Sequence, residues 1–344
     1  MALSIGVIGL GGFGQLQAEV LDSMEDVELI AGADISTSAR QEFEHTLGAR
    51  TYRDHDQLFE AESIDAVAIV TPHEHHYEQI KAALTNEIHV HVEKPLVTRT
   101  EHALELIDIA NHHDRRLQVG YQRHFEPAYQ EIRRIVTGGE IGDPHLANCH
   151  LGQEWVPISE GTWRMNPDLS GGGQLIDSGS HLLDALLWTT DMKPRRVTAL
   201  TDNRGFDVDI NSVVSAQLTG SSGSMLANIA VTGEGRDFNE QLTIWGTEGK
   251  LTFGKAGFVL ERDGRPDAVI EPEQLDYREA NRRKLGGFIE AITNGTSTPV
   301  PAEFGLRVTQ LTDAVYRASE SGTVIDVDSL GRAPAKPTQP GSCD

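Results

Sequence analysis

The glycine-rich segment at residues 9–14 constrains the fold of this chain most strongly. Gly9-Leu10-Gly11-Gly12-Phe13-Gly14 fits the pattern G-x-G-x-x-G, follows a β-rich run at Ser4–Leu10 and opens a helical repeat at Phe13–Met24. In that context the first glycine allows a tight turn, the second lets the backbone approach a pyrophosphate, and the third lets the helix pack on the strand. The segment therefore predicts a dinucleotide-binding βαβ unit, with phosphates at the helix N-terminus.

Strand-like and helix-like runs alternate through the first third of the chain. Further strands are predicted at Val27–Ala33, Asp65–Val70, His89–Val92 and Leu117–Gly120, and helices at Ser36–Leu47, His75–Leu84 and Thr100–His112. Such alternation is typical of a parallel sheet with helices on both faces. We therefore predict an α/β chain whose residues 1–122 form a doubly wound Rossmann domain.

The pattern changes after residue 122, where closely spaced strands replace the alternation. A helix predicted at Gln174–Trp188 is followed by strand-like runs between Arg196 and Leu260, and helices return at Tyr277–Thr293 and Ala302–Ser321, before a short strand at Val324–Val327. Strands without intervening helices indicate a mostly antiparallel sheet. Residues 123–330 are therefore predicted to form an α+β domain for substrate binding and oligomerisation, and residues 331–344 a disordered tail.

Asp34 indicates which dinucleotide the first domain would hold. It ends the second predicted strand, about 20 residues beyond Gly14, where an acid accepts hydrogen bonds from the ribose hydroxyls. A carboxylate there repels a 2′-phosphate, so NAD is favoured over NADP. Arg40 on the next helix leaves NADP open, because its side chain could reach a phosphate.

Composition excludes several classes of protein. The net charge is −23, from 52 acidic and 29 basic residues, and such a surface repels nucleic acids. Two equal alternatives remain for this acidity: a salt-rich cytosol, in which stability would rise with KCl, or an ordinary acidic enzyme. Two cysteines cannot form a disulfide framework, no apolar stretch suits a membrane helix, and the N-terminus lacks the features of a signal peptide. We therefore expect a cytoplasmic protein.

Three further motifs resemble those of a known family. Glu93-Lys94-Pro95 follows a predicted strand, Thr71-Pro72 and His76 form T-P-x-x-x-H, and residues 171–181 resemble G-G-G-x-L-x-D-x-G-x-H. Together with the glycine pattern, these resemble the Gfo/Idh/MocA oxidoreductases over about residues 4–327. The resemblance implies a Rossmann domain followed by an open-faced sheet domain, a cis bond before Pro95, and dimers or tetramers. It also implies a catalytic set of Lys94, Asp177 and His181.

The same residues make chemical sense for oxidation of a secondary alcohol. Histidine is suited to removing a hydroxyl proton near neutral pH. Asp177 and His181 are four residues apart, so on the predicted helix the carboxylate could orient the imidazole or share a substrate hydroxyl. Lys94 is predicted at the carboxyl end of a parallel strand, where its ammonium could stabilise a developing alkoxide.

The remaining candidate residues divide into two sets. The cofactor set is Gly9, Gly11, Gly12, Phe13, Gly14, Asp34, Thr71, Pro72, His76, Glu93 and Lys94. The substrate set is Tyr121, Arg123, Trp163, Arg164, Asp177 and His181. Aromatic faces stack on sugar rings and guanidinium groups donate paired hydrogen bonds, although a packing tryptophan and a surface arginine are equally compatible with the pattern. His124 stands where similar sequences often have arginine.

Several histidines raise the alternative of a metal site. They are His73, His75, His76, His89 and His91. The sequence has no His-Glu-x-x-His pattern and no cysteine near them, so we predict no metal. His76 is instead expected to contact the cofactor or to cap its helix.

The sequence as a whole predicts an NAD-dependent dehydrogenase acting on a secondary hydroxyl of a sugar, inositol or related polyol. Two alternatives stay open: a glycoside hydrolase or lyase that uses NAD only transiently, and a sugar- or NAD-binding regulator without turnover. An antiparallel sheet covered by helices on one side leaves the other face bare, so a homodimer or homotetramer is expected.

Overall fold

The computed structural model describes residues 2–255, 257–273 and 275–331. Its strands are β1 Leu3–Ile8, β2 Val27–Ala33, β3 Arg50–Tyr52, β4 Ala66–Ile69, β5 His89–Val92, β6 Leu117–Val119, β7 Pro144–Gly152, β8 Lys193–Asp202, β9 Asn211–Gly220, β10 Gly223–Thr232, β11 Asn239–Gly246, β12 Gly249–Gly254, β13 Gly257–Arg262, β14 Ala268–Ile270 and β15 Ile325–Asp326. Its α-helices are α1 Gly12–Asp22, α2 Thr37–Leu47, α3 His55–Ala61, α4 His76–Thr85, α5 Thr100–His112, α6 Pro127–Thr137, α7 Trp155–Ser159, α8 Pro167–Ser170, α9 Ser180–Thr190, α10 Tyr277–Asn294 and α11 Ala302–Ser321.

The N-terminal sheet is parallel and has the strand order β3-β2-β1-β4-β5-β6. This order reverses at β1, and ligands of doubly wound sheets bind at such a reversal, beyond the carboxyl ends of the strands. The predicted Rossmann architecture is therefore confirmed. The glycine segment after β1, Thr71 after β4 and Glu93 after β5 all emerge at this edge.

The second sheet has the order β14-β13-β12-β11-β7-β10-β9-β8-β15. Among its described pairs, β7 and β10 run parallel and the others are antiparallel. One face buries side chains such as Val214 and Ile229, while Leu200, Val213 and Leu226 on the other face are 75%, 54% and 59% exposed. The predicted mostly antiparallel, open-faced sheet is confirmed.

The last two helices pack back onto the N-terminal half of the chain. Helix α10 lies against α1, and its Leu285 and Phe288 join the core formed by Ile5 and Val7 of β1. Helix α11 packs between α5 and β8. The C-terminal part of the sequence thus completes one side of the Rossmann core, and the proposed boundary after residue 122 stays a prediction.

Several short elements were missing from the sequence prediction. The edge strand β3 has the sequence Arg-Thr-Tyr without an apolar run, and it pairs over only three residues with β2. Helix α3 begins at a cap, where the Asp54 side chain accepts a hydrogen bond from the Gln57 amide. The predicted strand Val324–Val327 is reduced to β15.

The predicted helix Gln174–Trp188 is not α-helical at its start. Leu175–Gly179 forms a π-helical turn, and α9 follows from Ser180. The predicted disordered tail lies outside the described residues except for Gly331. No helix among the described residues combines the length and apolar character needed to cross a membrane.

Candidate active site

The glycine segment after β1 has the shape that a dinucleotide requires. Gly9 has a φ of +90°, and a Cβ there would lie 2.6 Å from the Val70 carbonyl oxygen. A Cβ on Gly14 would lie 1.8 Å from the carbonyl oxygen of Gly9, so the turn and helix α1 touch at this point. Gly11 and Gly12 instead face open space. The segment therefore leaves open space at the N-terminus of α1, where the pyrophosphate is predicted to bind.

Asp34 lies beside this segment at the end of β2. Its carboxylate oxygens each accept a backbone hydrogen bond at 2.7 Å, from the amides of Leu10 and Ser36. These contacts hold the carboxylate at the mouth of the turn and leave further lone pairs for ribose hydroxyls. Arg40 donates to the carbonyl oxygen of Asp34 at 2.6 Å and to Thr37, so its guanidinium is tied to the backbone next to this acid.

A cleft of about 500 Å³ extends from the glycine segment to the second domain. From the predicted cofactor set it is lined by Gly11, Gly12, Phe13, Gly14, Thr71, Glu93 and Lys94. From the predicted catalytic and substrate sets it is lined by Trp163, Arg164, Asp177 and His181. The residues that were predicted from separate motifs thus meet on one continuous surface.

The Asp177 side chain accepts hydrogen bonds from three residues of this surface. Lys94 donates to its Oδ1 at 2.7 Å and to its carbonyl oxygen at 2.9 Å. Its Oδ2 accepts from Trp155 Nε1 at 2.8 Å and from Arg164 Nε at 3.0 Å. Burial alone would raise the pKa of Asp177, but Lys94, Arg164 and His73 outweigh it and hold the pKa well below its usual value. Asp177 is therefore an ionised anchor for two cations of the cleft.

The expected hydrogen bond between Asp177 and His181 is absent among the described residues. The π-turn closes with the Gly179 amide donating to the Gln174 carbonyl at 2.8 Å, so the two side chains no longer follow α-helical spacing. Lys94, Trp155 and Arg164 occupy both oxygens of the carboxylate instead. The Asp177 carboxylate therefore binds the Lys94 ammonium and not the His181 imidazole.

His181 faces the same cleft from the first turn of α9. Its Nδ1 atom is buried and has no hydrogen-bond partner among the described residues, and the ring meets Tyr121 edge-on at 6.3 Å between centroids. Burial, followed by the charges of Lys94 and Arg123, holds the pKa of His181 well below 6.5. The ring is therefore neutral near pH 7 and can accept a proton.

Several of the predicted residues do not line the cleft. His76 is buried, with its ring nitrogens 2.8 Å from the Pro95 carbonyl and 3.0 Å from the Thr71 carbonyl, so it joins two loops of the site. Arg123 is buried in an ion pair with Glu240, because an interior guanidinium needs an anion, and Tyr121 is wholly buried beneath His181. Pro72 does not line the cleft either.

His124 also belongs to the interior. Its Nε2 lies 2.8 Å from Asp184 Oδ1, and its ring stacks on Trp188 with 4.1 Å between centroids. Among the described residues, no group of three or more histidine, cysteine, aspartate or glutamate side chains is arranged to hold a metal ion.

Sequence reasoning assigned no role in this site to His73 or Trp155, which both lie against Asp177. His73 was considered only as a metal ligand, yet its ring packs edge-on to Trp163 at 4.7 Å between centroids and lies 3.9 Å from Asp177. Burial and then Lys94 lower the pKa of His73 to about 3. Trp155 had no assigned role. The position of His73 directly after Thr71-Pro72 was a usable signal, whereas nothing around Trp155 indicated its contact.

The predicted cis peptide bond between Lys94 and Pro95 is present. Comparison with protein families gives two matches in one family: residues 3–121 match the oxidoreductase family with an NAD-binding Rossmann fold, and residues 129–252 match the Gfo/Idh/MocA C-terminal domain. The chain belongs to the Gfo/Idh/MocA oxidoreductase family. It is accordingly an NAD(P)-dependent oxidoreductase.

Individual relatives extend over nearly the whole chain. The rhizopine catabolism protein MocA of Rhizobium meliloti is 27% identical over 301 residues, covering 85% of this chain and 87% of that protein. A D-xylose 1-dehydrogenase [NADP(+)] of Haloarcula marismortui is 25% identical over 318 residues, covering 86% of this chain and 82% of that protein. The solved scyllo-inositol dehydrogenase of Lactobacillus casei, with NAD(H) and scyllo-inositol, has a TM-score of 0.79 at 23% identity, covering 96% and 100%.

The glycine geometry generates a matched pair of variants. Gly14→Ala should lower the free energy of unfolding by about 1–3 kcal/mol, because its Cβ cannot fit against the Gly9 carbonyl without moving the turn. Gly12→Ala should leave it within about 0.5 kcal/mol of the wild type, since that Cβ faces open space. Urea unfolding measures both, and equal losses would contradict the packing described here.

Proposed function

We propose that this oxidoreductase uses NAD to oxidise a secondary hydroxyl of a sugar, inositol or related polyol. The observation that carries the proposal is the cleft in which Lys94, Asp177 and His181 share one surface with the glycine segment. A substrate held there would lie between the proton-handling side chains and the dinucleotide. The family and its dehydrogenase relatives support the reaction class.

Different residues of the cleft remove the hydroxyl proton and stabilise the hydroxyl oxygen. His181 is the base that takes the hydroxyl proton, because its ring faces the cleft and is unprotonated near pH 7. Lys94 donates a hydrogen bond to the same oxygen and stabilises the negative charge that develops there. Asp177 holds the Lys94 ammonium in place through its 2.7 Å contact. When bound, NAD supplies the acceptor for the hydride of the carbinol carbon.

The Asp34 carboxylate favours NAD over NADP. It is fixed at the mouth of the glycine turn by the amides of Leu10 and Ser36, where it can accept from both ribose hydroxyls and repels a phosphate. Arg40 is tied to the Asp34 carbonyl, which draws its guanidinium toward the backbone. The proposal assigns Asp34 the selection of the cofactor.

Trp163 and Arg164 are proposed to bind the substrate. Both line the cleft, and the Arg164 guanidinium lies over the Trp163 ring at 4.5 Å from its centroid. An indole face stacks on the apolar face of a sugar ring, while a guanidinium donates to hydroxyl or carboxylate oxygens. Together these two side chains are suited to binding a small cyclic ligand that carries several hydroxyl groups.

Substitution of the two proton-handling residues tests the reaction. Lys94→Met and His181→Asn should each lower kcat by about 100-fold or more, because each removes a group that acts on the hydroxyl oxygen. NADH absorbance with a panel of sugars and inositols measures turnover, with NAD and NADP compared in parallel. Lys81→Met, a surface lysine paired with Glu105, serves as the control and should behave like the wild type.

Near-normal turnover in either site variant, with intact cofactor binding, would contradict the assignment. Product formation without net NADH would instead support the hydrolase or lyase alternative. Cofactor binding without turnover of any compound in the panel would favour the regulator.

We further propose that the open face of the second sheet is a homo-oligomer interface in a cytoplasmic enzyme. Leu226 lies beside Leu146 in register across β10 and β7, and Leu200 lies beside Val213 across β8 and β9. An exposed apolar surface of this kind is usually covered by a partner, and a second copy presents the same apolar side chains. The composition, with two cysteines, suits a reducing compartment.

Light scattering after size exclusion tests the interface. The wild type should form a dimer or tetramer, and Leu226→Glu should dissociate it because the charge would be buried between subunits. Leu104→Glu, on α5 away from this sheet, should retain the wild-type mass. A wild-type monomer would refute the proposal.

A further inference from the structure

Glu93 is enclosed on several sides although it borders the cleft. Its Oε1 accepts hydrogen bonds from Lys284 Nζ and, at 2.5 Å, from Gln17 Nε2, while His91 Nε2 lies 3.7 Å away. A Cβ on Gly120 would lie 2.6 Å from the same oxygen. The carboxylate therefore has one position, and its charge is balanced mainly by a single cation.

That cation comes from the far end of the sequence. Lys284 lies on α10, has no exposed surface, and is 191 residues from Glu93. Its ammonium also lies over the Phe13 ring at 5.3 Å from the centroid, and its carbonyl oxygen accepts from Gln118 Nε2 at 3.0 Å. A lysine is buried this completely only when it is paired, so Lys284 and Glu93 depend on each other.

The pair lies where the redox state of the cofactor changes the local charge. On the proposed function the pyrophosphate would bind at the glycine segment and the reacting hydroxyl at Lys94 and His181, so a bound nicotinamide ring would lie between them. Glu93 lines this stretch of the cleft, one residue before Lys94. The oxidised ring carries a positive charge and the reduced ring is neutral, so an unbalanced carboxylate here would favour the oxidised form.

We propose that Lys284 is a positioning residue that cancels the charge of Glu93, so that Glu93 does not bias the site toward oxidised or reduced NAD. The inference rests on the proposed use of NAD. It assigns a cofactor-tuning role to a helix outside the glycine motif and the Glu-Lys-Pro segment.

The ionisation of Glu93 is consistent with this role. Burial by itself would raise the pKa of Glu93, but Lys284 and then His91 outweigh it and hold the pKa well below its usual value. Glu93 also acts electrostatically on His76, Tyr121, His181 and Tyr277, and Lys94 is the next residue of the same cleft. Without Lys284, the pKa of Glu93 rises, and the carboxylate then gains its charge as the pH increases through that value.

The test compares three proteins: the wild type, Lys284→Met, and Glu93→Gln/Lys284→Met, which removes both charges. Calorimetry and NADH fluorescence give Kd for NAD⁺ and NADH between pH 5.5 and 9. In Lys284→Met the ratio Kd(NADH)/Kd(NAD⁺) should rise about tenfold with pH relative to the double variant, because the unbalanced carboxylate attracts the cationic ring. The wild type should show no such rise relative to the double variant.

Identical pH profiles in Lys284→Met and the double variant would overturn the inference. If Lys284→Met does not fold, the Glu93→Gln variant tests the inference instead. The Lys284 ammonium is then unbalanced and should lower the ratio Kd(NADH)/Kd(NAD⁺) about tenfold relative to the double variant. An unchanged ratio would contradict the role of Lys284. Failure of the wild type to bind either nucleotide would instead refute the proposed function. Thermal melting of each variant establishes that it is folded.

Discussion

The buried carboxylate of Asp177 is the interaction on which the geometry of the site depends. It joins the Rossmann half to the second domain, because Lys94 follows β5 while Trp155, Arg164 and Asp177 itself come from the segments between β7 and α9. Removing one partner of a buried ion pair leaves an uncompensated charge, at a cost of about 3–5 kcal/mol. The position of the Lys94 ammonium, which the proposed function places against the substrate oxygen, follows from this contact.

A second buried ion pair, Glu93 with Lys284, borders the same cleft and again joins distant parts of the chain. In both pairs the anion is held ionised by its neighbours, so neither carboxylate is available as a base. His181 differs, because burial and nearby cations keep its ring neutral. The site therefore combines fixed charges with a neutral imidazole that can accept a proton, which is the combination that the proposed alcohol oxidation needs.

The sequence predicts what local patterns determine and misses what distant contacts determine. The glycine segment, Asp34 and Lys94 follow predicted strands of a parallel sheet, so topology alone places them at one edge. Helix periodicity, in contrast, predicted that Asp177 would orient His181, but Lys94, Trp155 and Arg164 occupy both oxygens of that carboxylate. Arg123 was predicted to contact the substrate, yet Glu240, more than 50 residues away, holds it in the interior, as Asp184 holds His124. Lys284 carries no local signal, since its partner is 191 residues distant.

The central claim is that Asp177 acts by holding Lys94 against the reacting oxygen, and Asp177→Asn tests it most directly. The amide keeps the shape of the side chain but loses the charge that fixes the ammonium. The account predicts a fall in kcat of about 100-fold or more, with Kd for NAD within about threefold of the wild type. Turnover close to that of the wild type, in a variant whose crystal structure shows Lys94 displaced from residue 177, would contradict it.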